Sequence, residues 1–250
     1  MTNNAAQILG LIDLTSLEVG DDAQKITALA KRAVTPFGSV AAICVWPRLI
    51  AAARQARPDL NIRLAAVANF PTGALGLSET LAEVQTALAA GADEIDLVFP
   101  YQQFLHGDPQ GAEKSVADVR AFLPPAITLK VILETGAHPD ATATRQMAQA
   151  AIGAGADFLK TSTGKIAMGA TYAAVGILLD CAIHAGRPIG VKASGGIRQL
   201  GDAQAYLALA DHAFGAPVTA GQFRFVASGL LDDVLGHLQG KAKSRQTDGY

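Results

Sequence analysis

The stretch 91–100, GADEIDLVFP, contains the pattern that decides the fold of the whole chain. Gly91 follows an alanine-rich helical pattern, and glycine can adopt the left-handed conformation that ends a helix. The run EIDLVFP after it is mostly apolar, as expected for a parallel strand that is covered on both faces. The same Gly-Ala-Asp turn recurs at 155–157, before the apolar run DFLKTS. We therefore expect a repeating order of helix, glycine turn and buried strand.

Eight such runs are spread along the chain. Strands are predicted over 8–15, 39–46, 62–69, 94–100, 128–134, 157–162, 188–194 and 222–228, and helices over segments such as 21–33, 78–90, 140–153 and 201–210. Ser78 followed by Glu79, and Asp140, are the start signals of two of these helices. An open doubly wound sheet is the alternative, but the G-x-G-x-x-G of its dinucleotide-binding form is absent after the first strand.

The number of units selects between these folds. Eight units in 250 residues give about 31 residues for each, the period of a (β/α)8 barrel. We therefore predict an α/β fold, a TIM (β/α)8 barrel, as a single domain over residues 1–250. The polar last residues, 241–250, are predicted to form a flexible tail.

The composition excludes several classes of protein. Half of the residues are hydrophobic, 17% are charged and the net charge is −2, which excludes a disordered chain and gives no basic surface for nucleic acid. The longest uncharged apolar stretch, Ile166 to Leu179, is shorter than the roughly 18–20 residues of a membrane span. No basic signal-peptide region precedes Lys25, and Cys44 and Cys181 have no metal or redox spacing. We therefore expect a cytoplasmic protein without nucleic-acid or membrane partners.

Four charged residues recur at the spacing of one βα unit in the predicted fourth to seventh strands. Asp96, Lys130, Lys160 and Lys192 follow one another at steps of 34, 30 and 32 residues. Active residues of such barrels lie at the C-terminal ends of the strands, so these side chains are predicted to converge in one pocket. Neighbouring lysines lower one another's pKa. A neutral lysine is what Schiff-base chemistry on a carbonyl substrate requires.

A phosphate site is predicted after the last two strands. Gly195 and Gly196 follow the seventh strand, and Ser228 and Gly229 follow the eighth and open the last helix. These loops, with a helix N-terminus, form the usual phosphate site of such barrels. Arg224 in the eighth strand could hold Asp13 or Asp96, or support the phosphate loop.

The same segments resemble the 2-deoxyribose-5-phosphate aldolase family of class I aldolases. The resemblance is carried by EIDLVFPYQQFLHGD, LKVILETGAHPD, ADFLKTSTGKIAMGAT, GVKASGGIRQLGDAQAYLALAD and FRFVASGLL, and by LIDLTSL and AAICVWPR nearer the start. It extends from about residue 9 to about residue 238. The motifs FLKTSTGK and GVKASGGIR, found in register, are its most specific part.

The resemblance implies a role for each matching residue. It implies that Lys160 forms the Schiff base, that Lys192 lowers its pKa, and that Asp96 relays protons with the support of Lys130. The implied substrate-binding residues are Asp13, Thr15, Thr163, Gly164, Lys165, Gly195, Gly196, Ser228 and Gly229. Tyr250 either reaches the site, as a terminal tyrosine does in some members, or belongs to a frayed terminus.

The implied reaction is the reversible cleavage of 2-deoxy-D-ribose 5-phosphate into D-glyceraldehyde 3-phosphate and acetaldehyde. It needs no metal or other cofactor, and the substrates are small sugar phosphates or aldehydes. Two alternatives are another Schiff-base aldolase or thiolase of phosphorylated sugars and a non-catalytic phosphosugar-binding barrel. The sequence STGK after Lys160 and the presence of both Lys160 and Lys192 favour the aldolase. A homodimer is also expected.

The end of the last strand departs from the family pattern. The family commonly has Gly-Ala/Thr-Ser-Ser there, whereas this chain has Val226-Ala227-Ser228-Gly229. A serine hydroxyl is missing and a branched side chain replaces a glycine. We therefore predict a weaker affinity for phosphate and a better tolerance of unphosphorylated substrates.

Overall fold

The protein is a closed barrel of eight parallel strands, described here by a computed structural model that covers residues 4–57, 59, 61–138, 140–227 and 229–241. The strands are β1 Ile12–Thr15, β2 Ala42–Val45, β3 Arg63–Ala68, β4 Glu94–Val98, β5 Thr128–Ile132, β6 Phe158–Lys160, β7 Gly190–Ala193 and β8 Phe223–Ala227. Each strand pairs with the next one along the chain, and β1 pairs with both β2 and β8. The predicted TIM barrel is confirmed, with a strand inside each of the eight predicted runs.

A helix follows each strand on the outside of the barrel. These helices are α1 Ala23–Lys31, α2 Ile50–Ala56, α3 Leu77–Ala89, α4 Pro109–Phe122, α5 Ala141–Gly153, α6 Tyr172–Ile183, α7 Leu200–Phe214 and α8 Leu230–Leu238. Aliphatic side chains fill the space between helices and strands in one continuous core. Among the described helices, none has both the length and the apolar character that crossing a bilayer requires.

Several short elements are additional to the predicted ones. A helix at Ala5–Leu9 occupies the start of the run 8–15, because a short apolar segment reads equally well as a buried helix or a strand. A hairpin of Val34–Thr35 and Gly38–Ser39 precedes β2, so the prediction of a strand from residue 39 is too long at its start. A short helix at Tyr101–Leu105 follows β4.

The Gly-Ala-Asp turns end helices as predicted and also connect neighbouring strands. Gly91 and Gly155 both have positive φ angles, +92° and +97°. Asp157, after the second of these turns, accepts a hydrogen bond from the backbone N–H of Leu129 at 2.8 Å and pairs with Arg120 at 3.2 Å. The turn therefore fixes the start of one strand against the start of the strand before it.

The two predicted helix start signals have different outcomes. The Asp140 carboxylate accepts a hydrogen bond from the backbone N–H of Ala143 at 2.7 Å, so it caps α5 as predicted. Ser78 is not a cap, because α3 already begins at Leu77 with Gly76 as its N-cap. Glu79 instead accepts a hydrogen bond from the Gly76 N–H at 3.1 Å, which satisfies one of the free backbone donors at this helix end.

Candidate active site

The interior of the barrel holds a cluster of charged side chains. Side chains two apart on a strand face the same side, and this alternation brings together seven buried residues: Asp13, Glu94, Asp96, Lys130, Lys160, Lys192 and Arg224. The strand register pairs Asp96 with Lys130 and Lys160 with Lys192. The predicted convergence of one aspartate and three lysines is therefore present in the structure.

Asp96 is the centre of this charged cluster. Its Oδ2 accepts hydrogen bonds from the Nζ atoms of Lys160 and Lys192, each at 2.8 Å, and its Oδ1 accepts one from Lys130 at 2.9 Å. Burial alone would raise the pKa of Asp96, but the three lysines outweigh burial and hold its pKa well below the usual range. Asp96 is therefore a carboxylate in the folded protein.

A second layer of charges lies on the opposite side of the lysines from the barrel mouth. Arg224 binds Glu94 through two hydrogen bonds, at 2.9 and 3.0 Å, and binds Asp13 at 3.0 Å. Glu94 also accepts a hydrogen bond from Lys130, and Asp13 pairs with Lys192 at 2.5 Å. Of the roles considered for Arg224, the structure thus selects the pairing with Asp13 and adds Glu94.

The three lysines differ in the number of carboxylates around them. Lys130 contacts Glu94 and Asp96 and lies 3.8 Å from Asp13. Lys192 contacts Asp13 and Asp96, whereas the described partner of Lys160 is Asp96 alone. Burial, which destabilises the charged form, would lower the pKa of each lysine.

The resulting pKa shifts have different signs. The paired carboxylates outweigh burial at Lys130 and Lys192 and raise the pKa of both. At Lys160 burial is the largest effect and, helped by the charge of Lys192, it lowers the pKa despite the attraction of Asp96. Lys160 is therefore the lysine most easily converted to a neutral amine.

Cys44 also reaches the cluster. It is fully buried, and its Sγ lies 3.9 Å from Oδ2 of Asp96. Burial and then the charge of Asp96 raise the pKa of this thiol to about 11. Cys44 is thus a neutral thiol at physiological pH, and it supplies no nucleophilic thiolate to the site.

A cavity of about 430 Å³ opens at the C-terminal ends of the strands. Six of the predicted substrate-binding residues line it: Thr15, Thr163, Gly164, Lys165, Gly195 and Gly196. Gly195 and Gly196 have φ angles of +87° and +86°, a conformation that favours glycine. Val226, the branched residue of the altered strand end, lines the same cavity.

The other predicted binding residues have different positions. Asp13 lies in the buried charged cluster, two residues below Thr15 on β1. Gly229 is exposed at the N-cap of α8 and is not among the described residues that line the cavity. Ser228 and Tyr250 lie outside the residues that the structure describes.

Glu134 positions one wall of the cavity. It follows β5 in the left-handed region, with φ of 49°, and is fully buried. Its carboxylate accepts hydrogen bonds from the backbone N–H of Thr163, at 3.2 Å, and from the Thr163 hydroxyl. The loop after β6 is therefore held by a buried carboxylate from the neighbouring strand end.

Sequence similarity along the whole barrel identifies the protein family. Residues 8–236 match the family described as DeoC/LacD family aldolase. The chain belongs to this family. A deoxyribose-phosphate aldolase from Agrobacterium fabrum (strain C58) is 45% identical over 249 residues, which cover 98% of this chain and 96% of that protein.

Solved structures of aldolases have the same fold. The deoxyribose phosphate aldolase from Aeropyrum pernix, described as a tetramer, matches with a TM-score of 0.74 at 26% identity, over 94% of this chain and 92% of that one. The aldolase QR15 matches with a TM-score of 0.78 at 25% identity, over 93% and 98% of the two chains.

Sequence reasoning missed several residues of this aldolase site. Glu94 was missed although it precedes Asp96 by two positions, a spacing that puts both carboxylates on one face of β4. The cavity also contains cations that were not predicted: Lys25, Arg32 and Arg198. Lys25 lies on α1, Arg32 directly follows α1 and Arg198 follows β7. They have no shared spacing, so the sequence offered no signal for them.

We predict that Arg224 contributes strongly to the stability of the aldolase. Replacing it by methionine leaves Glu94 and Asp13 without their arginine partner, and breaking a buried pair in this way costs about 3–5 kcal/mol. Arg145→Met is the control, because Arg145 and Asp180 pair at 2.5 Å with side chains that are 44% and 43% exposed, and such pairs contribute at most about 1 kcal/mol. Urea unfolding of the two variants should show this difference, and equal losses would contradict it.

We predict that Lys192→Met raises the pKa of Lys160. The charge of Lys192 lowers the pKa of Lys160. Without this charge, the rise in reactivity with increasing pH should occur at a higher pH. The measurement is the rate of imine formation with acetaldehyde, trapped by cyanoborohydride, as a function of pH. Lys130→Met is the control, since Lys130 binds the other oxygen of Asp96. A profile that is unchanged, or moved to lower pH, in Lys192→Met would refute this electrostatic role.

Proposed function

We propose that this aldolase cleaves 2-deoxy-D-ribose 5-phosphate reversibly into D-glyceraldehyde 3-phosphate and acetaldehyde, through a Schiff base on Lys160. One observation carries the proposal. Lys160 has a single described carboxylate partner, whereas each of the other two lysines has at least two carboxylate partners. The name of the Agrobacterium fabrum relative supports the choice of substrate.

The first step is the attack of the neutral Lys160 amine on the C1 aldehyde of the open-chain sugar. The lowered pKa of Lys160 increases the fraction of neutral amine. When Lys160 loses its proton, Lys192 still donates to Oδ2 of Asp96 at 2.8 Å, so this carboxylate stays paired throughout the step. The carbinolamine hydroxyl then takes up a proton from solvent and leaves as water, which gives a protonated imine.

The second step breaks the C2–C3 bond. A base removes the proton of the C3 hydroxyl, the C3–O bond becomes the carbonyl of glyceraldehyde 3-phosphate, and the bonding electrons move from C2–C3 to the iminium. The product on Lys160 is a neutral enamine. Asp96 with a water molecule is our candidate for the base, because it is the carboxylate adjacent to Lys160.

The last step releases acetaldehyde. A proton added to C2 of the enamine restores the protonated imine, and water hydrolyses it to acetaldehyde and the Lys160 amine. Lys130 holds Oδ1 of Asp96 at 2.9 Å, and it thereby keeps the carboxylate oriented while Oδ2 faces the changing Lys160 nitrogen.

The cavity at the barrel mouth is proposed to bind the phosphate. Its described walls carry Lys25, Arg32, Lys165 and Arg198. Lys25 pairs with Asp21 at 2.5 Å, Arg32 with Asp232 at 2.5 Å and Lys165 with Glu18 at 3.1 Å, whereas Arg198 has no ion pair among the described residues. A group of cations next to a glycine turn, with Arg198 unpaired among the described residues, suits a phosphate ester. A binding barrel without catalysis would not need the lowered pKa of Lys160, which favours the enzyme.

Two further expectations belong to this proposal. We propose that the protein acts as a homo-oligomer, a homodimer being the form expected from the sequence, and light scattering would determine the number of subunits. The cytoplasmic location predicted from the sequence also stays a prediction.

The nucleophile can be identified directly. Incubation with acetaldehyde and borohydride should add one two-carbon group, mapped by mass spectrometry to Lys160 and absent from Lys160→Leu. Lys114→Leu is the control for nonspecific labelling, because Lys114 is an exposed lysine paired with Asp118. An adduct on Lys130 or Lys192 would show that the nucleophile is misassigned. The absence of any adduct would indicate a barrel that binds its ligand without catalysis.

The altered end of β8 predicts relaxed phosphate selectivity. We expect a lower ratio of kcat/KM for deoxyribose 5-phosphate over deoxyribose than in relatives with the Ser-Ser pair. The double variant Val226→Gly, Gly229→Ser should raise this ratio, because it opens the cavity wall at Val226 and restores the second serine of the family pattern at the N-cap of α8. If the wild-type protein has a ratio of the two kcat/KM values as high as in those relatives, this prediction is wrong.

A further inference from the structure

Ser194 carries a buried hydroxyl that the charged cluster and the phosphate loop leave unused. Ser194 is fully buried, lies in the wall of the mouth cavity, and its Oγ has no hydrogen-bond partner within the described part of the chain. A buried polar group without a partner is unfavourable for folding. A free hydroxyl in the wall of a binding cavity therefore indicates a partner that arrives with the ligand.

The backbone of Ser194 is held by hydrogen bonds, whereas its hydroxyl has no partner among the described residues. Its N–H donates to the Thr161 hydroxyl at 3.0 Å, and its carbonyl accepts hydrogen bonds from that hydroxyl at 3.2 Å and from the Ala170 N–H at 2.9 Å. These bonds fix the residue on both sides. The hydroxyl is thus presented from a rigid position, as a specificity contact requires.

The other hydroxyls of the cavity wall are already engaged. Thr15 donates to the Asp13 carbonyl at 2.9 Å, Ser16 donates to the Asp21 carboxylate at 2.8 Å, and Thr163 donates to Glu134. Among the described side chains that line the cavity, Ser194 has the one hydroxyl without a partner.

The position of Ser194 selects the atom that it would bind. Ser194 follows Lys192 by two residues, which puts both side chains on the inner face of the barrel, and it directly precedes Gly195 of the glycine turn. In a sugar that is bound through C1 to Lys160 and through its phosphate to the glycine turn, the middle carbons lie at the level of Ser194. The C3 hydroxyl is the reacting group, so the C4 hydroxyl is left for Ser194.

We propose that the Ser194 hydroxyl binds the C4 hydroxyl of the sugar, which is the 2-hydroxyl of the acceptor aldehyde in the reverse reaction. This inference rests on the proposed function, and it makes Ser194 a specificity residue for 2-hydroxyaldehydes. A site that hydrogen-bonds a substrate hydroxyl discriminates against the analogue that lacks it.

The test uses two acceptors that differ in this one hydroxyl. The addition of acetaldehyde to D-glyceraldehyde 3-phosphate is compared with its addition to 3-oxopropyl phosphate. In Ser194→Ala we expect kcat/KM for glyceraldehyde 3-phosphate to fall about tenfold, the effect of one lost hydrogen bond to a neutral group, with that for 3-oxopropyl phosphate unchanged. The melting temperature should not fall, since the Ser194 hydroxyl makes no hydrogen bond within the described part of the chain.

Ser16→Ala is the matched control, because Ser16 lines the same cavity with a hydroxyl bound to Asp21. It should lower the melting temperature and leave the ratio of the two acceptors unchanged. Equal losses for both acceptors in Ser194→Ala, or an unchanged ratio, would overturn the assignment of Ser194. A wild-type protein that adds acetaldehyde to neither acceptor would instead refute the proposed function.

Discussion

The hydrogen bonds from three lysines to the Asp96 carboxylate are the interaction on which the barrel interior depends. Two like charges about 4 Å apart repel by roughly 4 kcal/mol at an effective dielectric constant of 20, and three buried lysines add several such terms to their desolvation. Asp96 offsets them because it lies within 2.9 Å of all three ammonium groups. The same carboxylate is therefore needed for the stability of the fold and for the chemistry of the site.

The second layer of charges explains why one lysine differs from the others. Asp13 and Glu94 lie on the side of Arg224. Glu94 also binds Lys130, and Asp13 binds Lys192 and lies 3.8 Å from Lys130. Neither carboxylate contacts Lys160 among the described contacts. Arg224 thus has an indirect role, since it holds in place the two carboxylates that keep Lys130 and Lys192 charged. Lys160 is left with the smallest electrostatic stabilisation of its ammonium form.

The parts of this arrangement that could be predicted are those that repeat. Asp96 and the three lysines recur at the period of the βα unit, so the spacing alone placed them in neighbouring strands at similar levels. Glu94 recurs nowhere and was missed. The partners of Arg224 could not be chosen from the sequence, because they depend on how β8 is staggered against β1 and β4. The lack of a described partner for the Ser194 hydroxyl is a property of its surroundings, which a sequence does not contain.

The charge balance of the cluster changes during the proposed reaction in a way that favours cleavage. With Lys160 protonated, four cations face three carboxylates; with Lys160 neutral, the charges cancel. A buried cluster is most stable without excess charge, because an unpaired charge is poorly solvated there. The protonated imine restores the excess positive charge. Breaking the C2–C3 bond gives a neutral enamine, and the excess charge leaves the site with the C3 hydroxyl proton once Asp96 and its water pass that proton to solvent. The electrostatic state that makes Lys160 a nucleophile therefore also favours the bond-breaking step over persistence of the imine.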